Sequence, residues 1–175
     1  MRLGYLLEAF GVASMVVVLM GVSGSGKSTI GEMLASALKW RFYDADSLHS
    51  AANREKMRRG IPLTDSDRMP WLRRVRRVIE KCLKAGTDAI VACSALKQSY
   101  RDIIVVDADR VQIVYLKGSA ELLAGRLADR QGHFMPADLL PSQMATLEEP
   151  RDAITVDVSG TPRQIVGAIR AALEI

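Results

Sequence analysis

The sequence predicts an α/β fold of three layers, α/β/α, around a parallel sheet of five strands. Two observations carry the prediction. Short aliphatic runs without polar alternation, which read as strands buried on both faces, alternate along the chain with longer segments whose apolar residues recur at helical spacing. The links between them are short, so each strand reaches the next through a helix, and the helices cover both faces of the sheet.

The elements follow in order. Residues 15–20 (MVVVLM) form the first strand and run into a glycine-rich turn, after which Ile30, Met33, Leu34, Ala37 and Leu38 mark a helix. A short strand at 40–43 precedes a helical region at about 51–59 and a helix at about 71–85. Residues 89–93 are a second buried strand. Helix at 97–106, strand at 111–116, helix at 120–130 and strand at 154–158 continue the alternation. A closing helix at 162–173 starts on a capping box of Thr161 and Gln164, with Pro162 at its first position. No repeat, low-complexity tract or linker divides residues 15–175, a length that one core can serve.

The turn at residues 21–28, GVSGSGKS, matches GxxxxGK[ST] in full and lies where that motif must lie, after a buried strand and at the opening of a helix. Its glycines let backbone amides curl around phosphate oxygens, and the helix N-terminus adds free N–H groups and a positive dipole end. Gly21, Val22, Ser23, Gly24, Ser25 and Gly26, with Thr29 just beyond, are the expected nucleotide-phosphate contacts. Lys27 is expected to bridge the β- and γ-phosphates and Ser28 to ligate Mg²⁺, which makes ATP and Mg²⁺ the expected cofactors.

A phosphate loop alone does not separate a kinase from a GTPase or a motor. No guanine-binding NKxD follows, and the strand from Ala89 ends in Ala92-Cys93-Ser94 rather than in an acid. The acids stand instead at Asp44 and Asp46, after the second strand. In an extended segment they point the same way, at the end of the sheet where ligands bind. Small-molecule kinases need two carboxylates there, one for the metal's water shell and one for the acceptor hydroxyl.

Composition sets outer limits. The net charge of +4 fits an anionic ligand, a nucleic acid or a basic surface. Its distribution argues against nucleic acid: Arg73, Arg74, Arg76, Arg77, Lys81 and Lys84 fall on the solvent face of a helix whose Leu72, Val75, Ile79 and Leu83 face inward, with no aromatic platform beside them. Cys82 and Cys93 lack metal or disulfide spacing and read as reduced core residues, consistent with cytosol. Residues 1–14 read as an N-terminal extension. Its Leu3, Leu6, Leu7 and Phe10 resemble a weak signal peptide, but no second membrane-length apolar run exists and the segment abuts a motif that needs cytosolic ATP. No membrane association and a cytoplasmic location are expected.

Taken together, the motifs are specific. GVSGSGKS, Asp44-Ala45-Asp46 with His49, Asn53-Arg54-x-Lys56-Met57, Pro62-Leu63-Thr64-Asp65-x-Asp67-Arg68-x-Pro70-Trp71, Cys93-Ser94-Ala95-Leu96-Lys97 with Tyr100-Arg101-Asp102, and Gly132-His133-Phe134 resemble the gluconokinase family in order, from about residue 15 to the end. The resemblance implies an adenylate-kinase-like P-loop kinase fold with a mobile lid, dependence on ATP and Mg²⁺, and phosphorylation of gluconate at its 6-hydroxyl. The family is often dimeric, so a homodimer is implied, although the residues themselves show no interface.

Gluconate, a carboxylate on a polyol chain, asks for cations at one end and hydrogen-bonding groups along the rest. Arg54, Arg68, Lys97 and Arg101 are the candidate cations, with the choice among them open, and His49, Asp67, Trp71, Ser94 and His133 are candidate neighbours. Asp46 is the candidate base and Asp44 the candidate Mg²⁺ partner through water. Many relatives have glycine where Ala45 stands here, a departure that matters only if the backbone needs positive φ. The irregular stretch from 130 to about 141 occupies the place of the lid, and Arg130 is the candidate for the transferring phosphate. Arg126 and Pro162 are expected to flank the adenine. The rival readings are a kinase for another small anion such as shikimate, and a nucleotide sensor or nucleic-acid binder without an acceptor.

Overall fold

The computed structural model describes residues 14–129 and 139–175. The N-terminal extension but for Ser14, and most of the expected lid with Arg130 and His133, lie outside the described residues. Among those described, five strands are formed by Val16–Met20 (β1), Arg41–Asp44 (β2), Ala89–Ala92 (β3), Val111–Lys117 (β4) and Ile154–Asp157 (β5). The helices are Lys27–Leu38 (α1), Ala51–Arg58 (α2), Asp65–Lys84 (α3), Gln98–Ile104 (α4), Ala120–Ala128 (α5), Leu140–Thr146 (α6) and Pro162–Leu173 (α7), with a 3₁₀ turn at Ala45–Leu48.

The sheet runs β2-β3-β1-β4-β5 with every pair parallel. β1 is therefore central, and all five of its residues are buried. Alternation along it divides the core in two. Val16, Val18 and Met20 pack with Trp71, Leu72, Val75 and Ile79 of α3 and Tyr100 of α4. Val17 and Leu19 pack with Ile30 and Leu34 of α1, Leu123 and Leu127 of α5, and Ile165 and Ile169 of α7. This is the expected three-layer arrangement. None of the described helices is long and apolar enough to cross a membrane.

Two close approaches fix the ligand end. A Cβ on Gly24, whose φ is +82°, would come within 2.9 Å of the Leu123 carbonyl oxygen, so the loop rests against α5 only with glycine there. A Cβ on Gly31 would come within 2.4 Å of the Phe42 ring, which lets α1 lie close against β2.

Two expectations need correction. The helix expected from about 71 begins at Asp65, because a complete capping box between Thr64 and Asp67 nucleates it six residues earlier and the helix then carries Pro70 inside it. The end of the expected irregular lid is helical: Leu140 and Pro141 open α6, with proline in its first turn, where the missing N–H costs no helical hydrogen bond.

Candidate functional site

The loop after β1 curls beneath the N-terminus of α1. Gly26, the N-cap, is left-handed and no side chain among the described residues caps the helix, so its first turn presents N–H groups to the cleft. A cleft of about 410 Å³ opens above them, floored by residues of the loop and walled by Arg126, Pro162 and Ile165. Arg126 is held in that wall by a hydrogen bond to the Val158 carbonyl oxygen. The Lys27 ammonium donates to the Val22 carbonyl oxygen over 3.0 Å and so lies along the loop it belongs to.

Asp44, at the end of β2, organises the next turn. Its Oδ2 accepts from the Ser28 hydroxyl at 2.7 Å and its Oδ1 from the Asp46 N–H at 2.9 Å. Ala45 is not among the residues with positive φ, so alanine fits where relatives carry glycine. Ser28 and Asp44 thus place two hard oxygen donors together at the edge of the phosphate site. Among the described residues no group of three or more His, Cys, Asp or Glu gathers to hold a metal. The two oxygen donors of Ser28 and Asp44 suit an ion that keeps most of its ligands as water and phosphate, and the donor set fits Mg²⁺.

A second, narrow pocket of about 40 Å³ adjoins the cleft and shares Ser23, Lys27 and Asp46 with it. His49, Arg68, Trp71 and Ser94 line it, four of the residues expected to meet an acceptor. His49 stacks on Trp71 with ring centroids 4.3 Å apart and planes 12° from parallel. Its Nδ1 is buried and has no hydrogen-bond partner among the described residues. Burial first, and then the charges of Arg68, Arg54 and Arg74, push the His49 pKa down to about 4, so the ring is neutral near pH 7. Arg68 donates to the Leu63 carbonyl and lies over the Tyr100 ring. Cys93, fully buried, is an inert thiol: burial, followed by the Asp46 charge, pushes its pKa up to about 12.

The other candidate residues are placed differently. Asp67 closes the capping box of α3 and pairs with Lys56 at 2.8 Å; the Lys56 and Thr64 hydrogen bonds bring its pKa to about 2. Lys97 pairs with Asp65 at 2.9 Å and lies over the Tyr100 ring. Arg54 stands exposed on α2 and contributes charge near His49. Arg101 is 3% exposed and donates to the carbonyls of Ala95 and Leu96 at 3.0 and 3.2 Å. Ala95 has a φ of +42°, so this buried guanidinium holds a left-handed turn that carries Ser94 and Leu96 to the pocket wall. None of these four lines either pocket.

The sequence reading missed Met57, Leu63, Leu96 and Gln143 as pocket residues. Gln143 was hidden because no helix was expected between the irregular stretch ending at about 141 and the strand at 154. Pro141, followed by Met144 and Leu147 packed against the core, is the signal that would have revealed it.

The sequence model of the shikimate kinase family matches residues 23–169. A gluconokinase from Gluconobacter oxydans is 49% identical over 142 residues, covering 81% of this chain and 80% of that protein. Among solved structures, a sugar kinase from a Janibacter species superposes with a TM-score of 0.86 at 45% identity, covering 93% of this chain and 95% of that one. A gluconokinase from Sinorhizobium meliloti gives 0.81 at 43% identity, covering 93% of each chain.

Proposed function

The chain belongs to the gluconokinase family, within the wider group that the shikimate kinase model describes, and from that premise we propose that it transfers the γ-phosphoryl group of ATP to the 6-hydroxyl of D-gluconate. The observation that carries the reading is the position of Lys27 and Asp46, which line both the phosphate cleft and the narrow pocket beside it. A phosphate held by the loop and a hydroxyl held in the pocket would meet between these two side chains.

Asp46 accepts the proton of the 6-hydroxyl as that oxygen attacks the γ-phosphorus and the bond to the ADP oxygen breaks, giving ADP and 6-phosphogluconate. Lys27 leaves the Val22 carbonyl and follows the charge that moves onto the β–γ bridge. Ser28 directly and Asp44 through water would hold Mg²⁺, which when bound neutralises charge on the β- and γ-phosphates. Arg126 and Pro162 are assigned to the adenine, and Arg68 is the assigned cation for the gluconate carboxylate because, of the four candidates, it alone lines the pocket. Neutral His49 serves as a hydrogen-bonding partner for the polyol chain through its buried Nδ1. Arg130 and His133 are assigned to the closing lid, Arg130 at the transferring phosphate. The enzyme is placed in the cytosol, where ATP is abundant, and as a homodimer by likeness to the family.

The test is ADP formation with ATP and Mg²⁺ across a panel of gluconate, other sugar acids and shikimate. Gluconate should give the highest kcat/KM. Turnover led by shikimate would transfer the reading to the activity for which the matching family model is named, and acceptor-independent ADP release would remove the kinase reading altogether.

A further inference from the structure

Ser23, in the phosphate loop, donates its backbone N–H to Oε1 of Gln143 over 2.7 Å, across 120 positions of sequence. An amide of this loop is the kind of donor a phosphate oxygen takes. Gln143 is also a wall of the narrow pocket, alongside His49 and Arg68. One side chain therefore touches the nucleotide machinery and faces the acceptor.

Its position is set by the scaffold. At the start of α6, Leu139 is buried with Met57 and Leu63, both of which line the narrow pocket. Just past the end of α6, the Glu148 N–H donates to the Leu96 carbonyl at 2.8 Å and the Glu148 carboxylate accepts from the Gln98 N–H at 2.6 Å. The helix is pinned at both ends to segments that build the acceptor side, so Gln143 enters the site at a fixed point.

We propose that Gln143 is a positioning residue that couples the two substrates. Its carbonyl oxygen and a nucleotide phosphate oxygen compete for the Ser23 N–H. When phosphate takes that N–H, the Gln143 amide turns to the hydroxyl chain of the acceptor and the pocket becomes ready for it. Nucleotide binding then raises acceptor affinity, and by linkage the acceptor raises nucleotide affinity by the same factor. The coupling rests on the gluconate kinase reading above.

The test uses two full-length variants, Gln143→Ala and Gln143→Glu, with calorimetric binding of a non-hydrolysable ATP analogue in the presence and absence of gluconate, and steady-state kinetics. Gln143→Ala removes the competitor, so the analogue alone should bind as tightly as to wild type or up to about 10-fold tighter, the worth of one neutral hydrogen bond. Its KM for gluconate should rise by about the same factor, and the coupling between the two ligands should vanish. Gln143→Glu puts a carboxylate on the same N–H and against the phosphates, so the analogue should bind on the order of 10-fold more weakly. Divergence of the two variants is the signature, with no loss of analogue affinity in Gln143→Ala and a clear loss in Gln143→Glu, since a residue that merely supports α6 would weaken analogue and gluconate binding together in both. Weaker analogue binding in Gln143→Ala, or wild-type coupling retained in it, overturns the proposal. Wild-type protein that forms no gluconate-dependent ADP defeats the gluconate reading instead, while the analogue affinities of the two variants still test the competition at Ser23.

Discussion

The indole N–H of Trp71 donates to the carbonyl oxygen of Ala45 over 2.6 Å. Ala45 lies between the two carboxylates of the site, so α3 holds the turn that presents Asp44 and Asp46. Trp71→Phe keeps an aromatic face for His49 but leaves a buried carbonyl without its donor. Stability should fall by about 1–3 kcal/mol in chemical denaturation. Gluconate kinetics should suffer more than analogue binding, because the phosphate loop does not lean on this bond. Equal stability in the variant would mean that the turn holds itself.

Lys27→Ala should nearly abolish transfer and leave a folded protein. The ammonium meets a loop carbonyl and the cleft rather than the core, so its loss removes charge from the phosphates at little structural cost. A fall in kcat of at least ~10² with a far-UV spectrum like wild type is the expected result. Near-normal turnover would remove the nucleotide assignment.

Asp46→Asn should lower acceptor phosphorylation by roughly 10²–10⁴ and leave analogue affinity close to wild type. The amide keeps the shape of the side chain and cannot take the hydroxyl proton. If analogue affinity collapsed in parallel, Asp46 would belong with Ser28 and Asp44 at the metal.

His49 makes a pH prediction whose sign follows from burial. The unfolded chain takes up a proton at this residue near pH 6.5, whereas the folded chain resists until about pH 4. Between those values the unfolded state binds more protons, so stability drops as the pH is lowered through this window. The slope from this one group is at most about 1.4 kcal/mol per pH unit. Denaturation of wild type and His49→Gln at pH 7, 6, 5 and 4 should show a shallower acid loss in the variant. Parallel curves would mean that His49 protonates in the folded protein near its ordinary pKa.

Arg130→Ala should lower kcat at saturating ATP and gluconate with little change in KM for gluconate, because a charge brought in by a closing lid acts mainly in the transition state. Lysine should rescue part of the loss, since a point charge lacks the planar fork of guanidinium. Unchanged turnover would remove Arg130 from the transferring phosphate.

Much of the frame was legible because its signals are local. The capping box at Thr161 and Gln164 places the start of α7, and every strand lies within about a residue of the span expected for it. The start of α3 was set at about residue 71 rather than 65, because the apolar spacing begins there and the capping box of Thr64 and Asp67 was passed over. The candidate acceptor residues divide for a different reason. Asp67, Lys97 and Arg101 belong to the same motifs as Arg68 and Ser94, but they hold backbone and partner charges in place. A motif marks that a residue type is required and is silent on whether it touches the ligand or the chain. The helix that carries Gln143 had a signal in Pro141, Met144 and Leu147, but the meeting of Gln143 with Ser23 had none, since it depends on where three other segments pin α6.

The small cluster of Met57, Leu63 and Leu139 shares no member with the two larger clusters that flank the sheet. Breaking it exposes three side chains, whereas parting α1 or α3 from the sheet breaches a main core. Native-state amide exchange should therefore divide the molecule unevenly: amides of α2, whose Met57 is its one member of this cluster, should exchange through an opening that demands far less free energy than global unfolding, while those of β1 and β3 should wait for the whole fold to come apart. The acceptor side would then breathe on a seated phosphate loop, with sugar acid coming and going many times within the lifetime of the intact sheet.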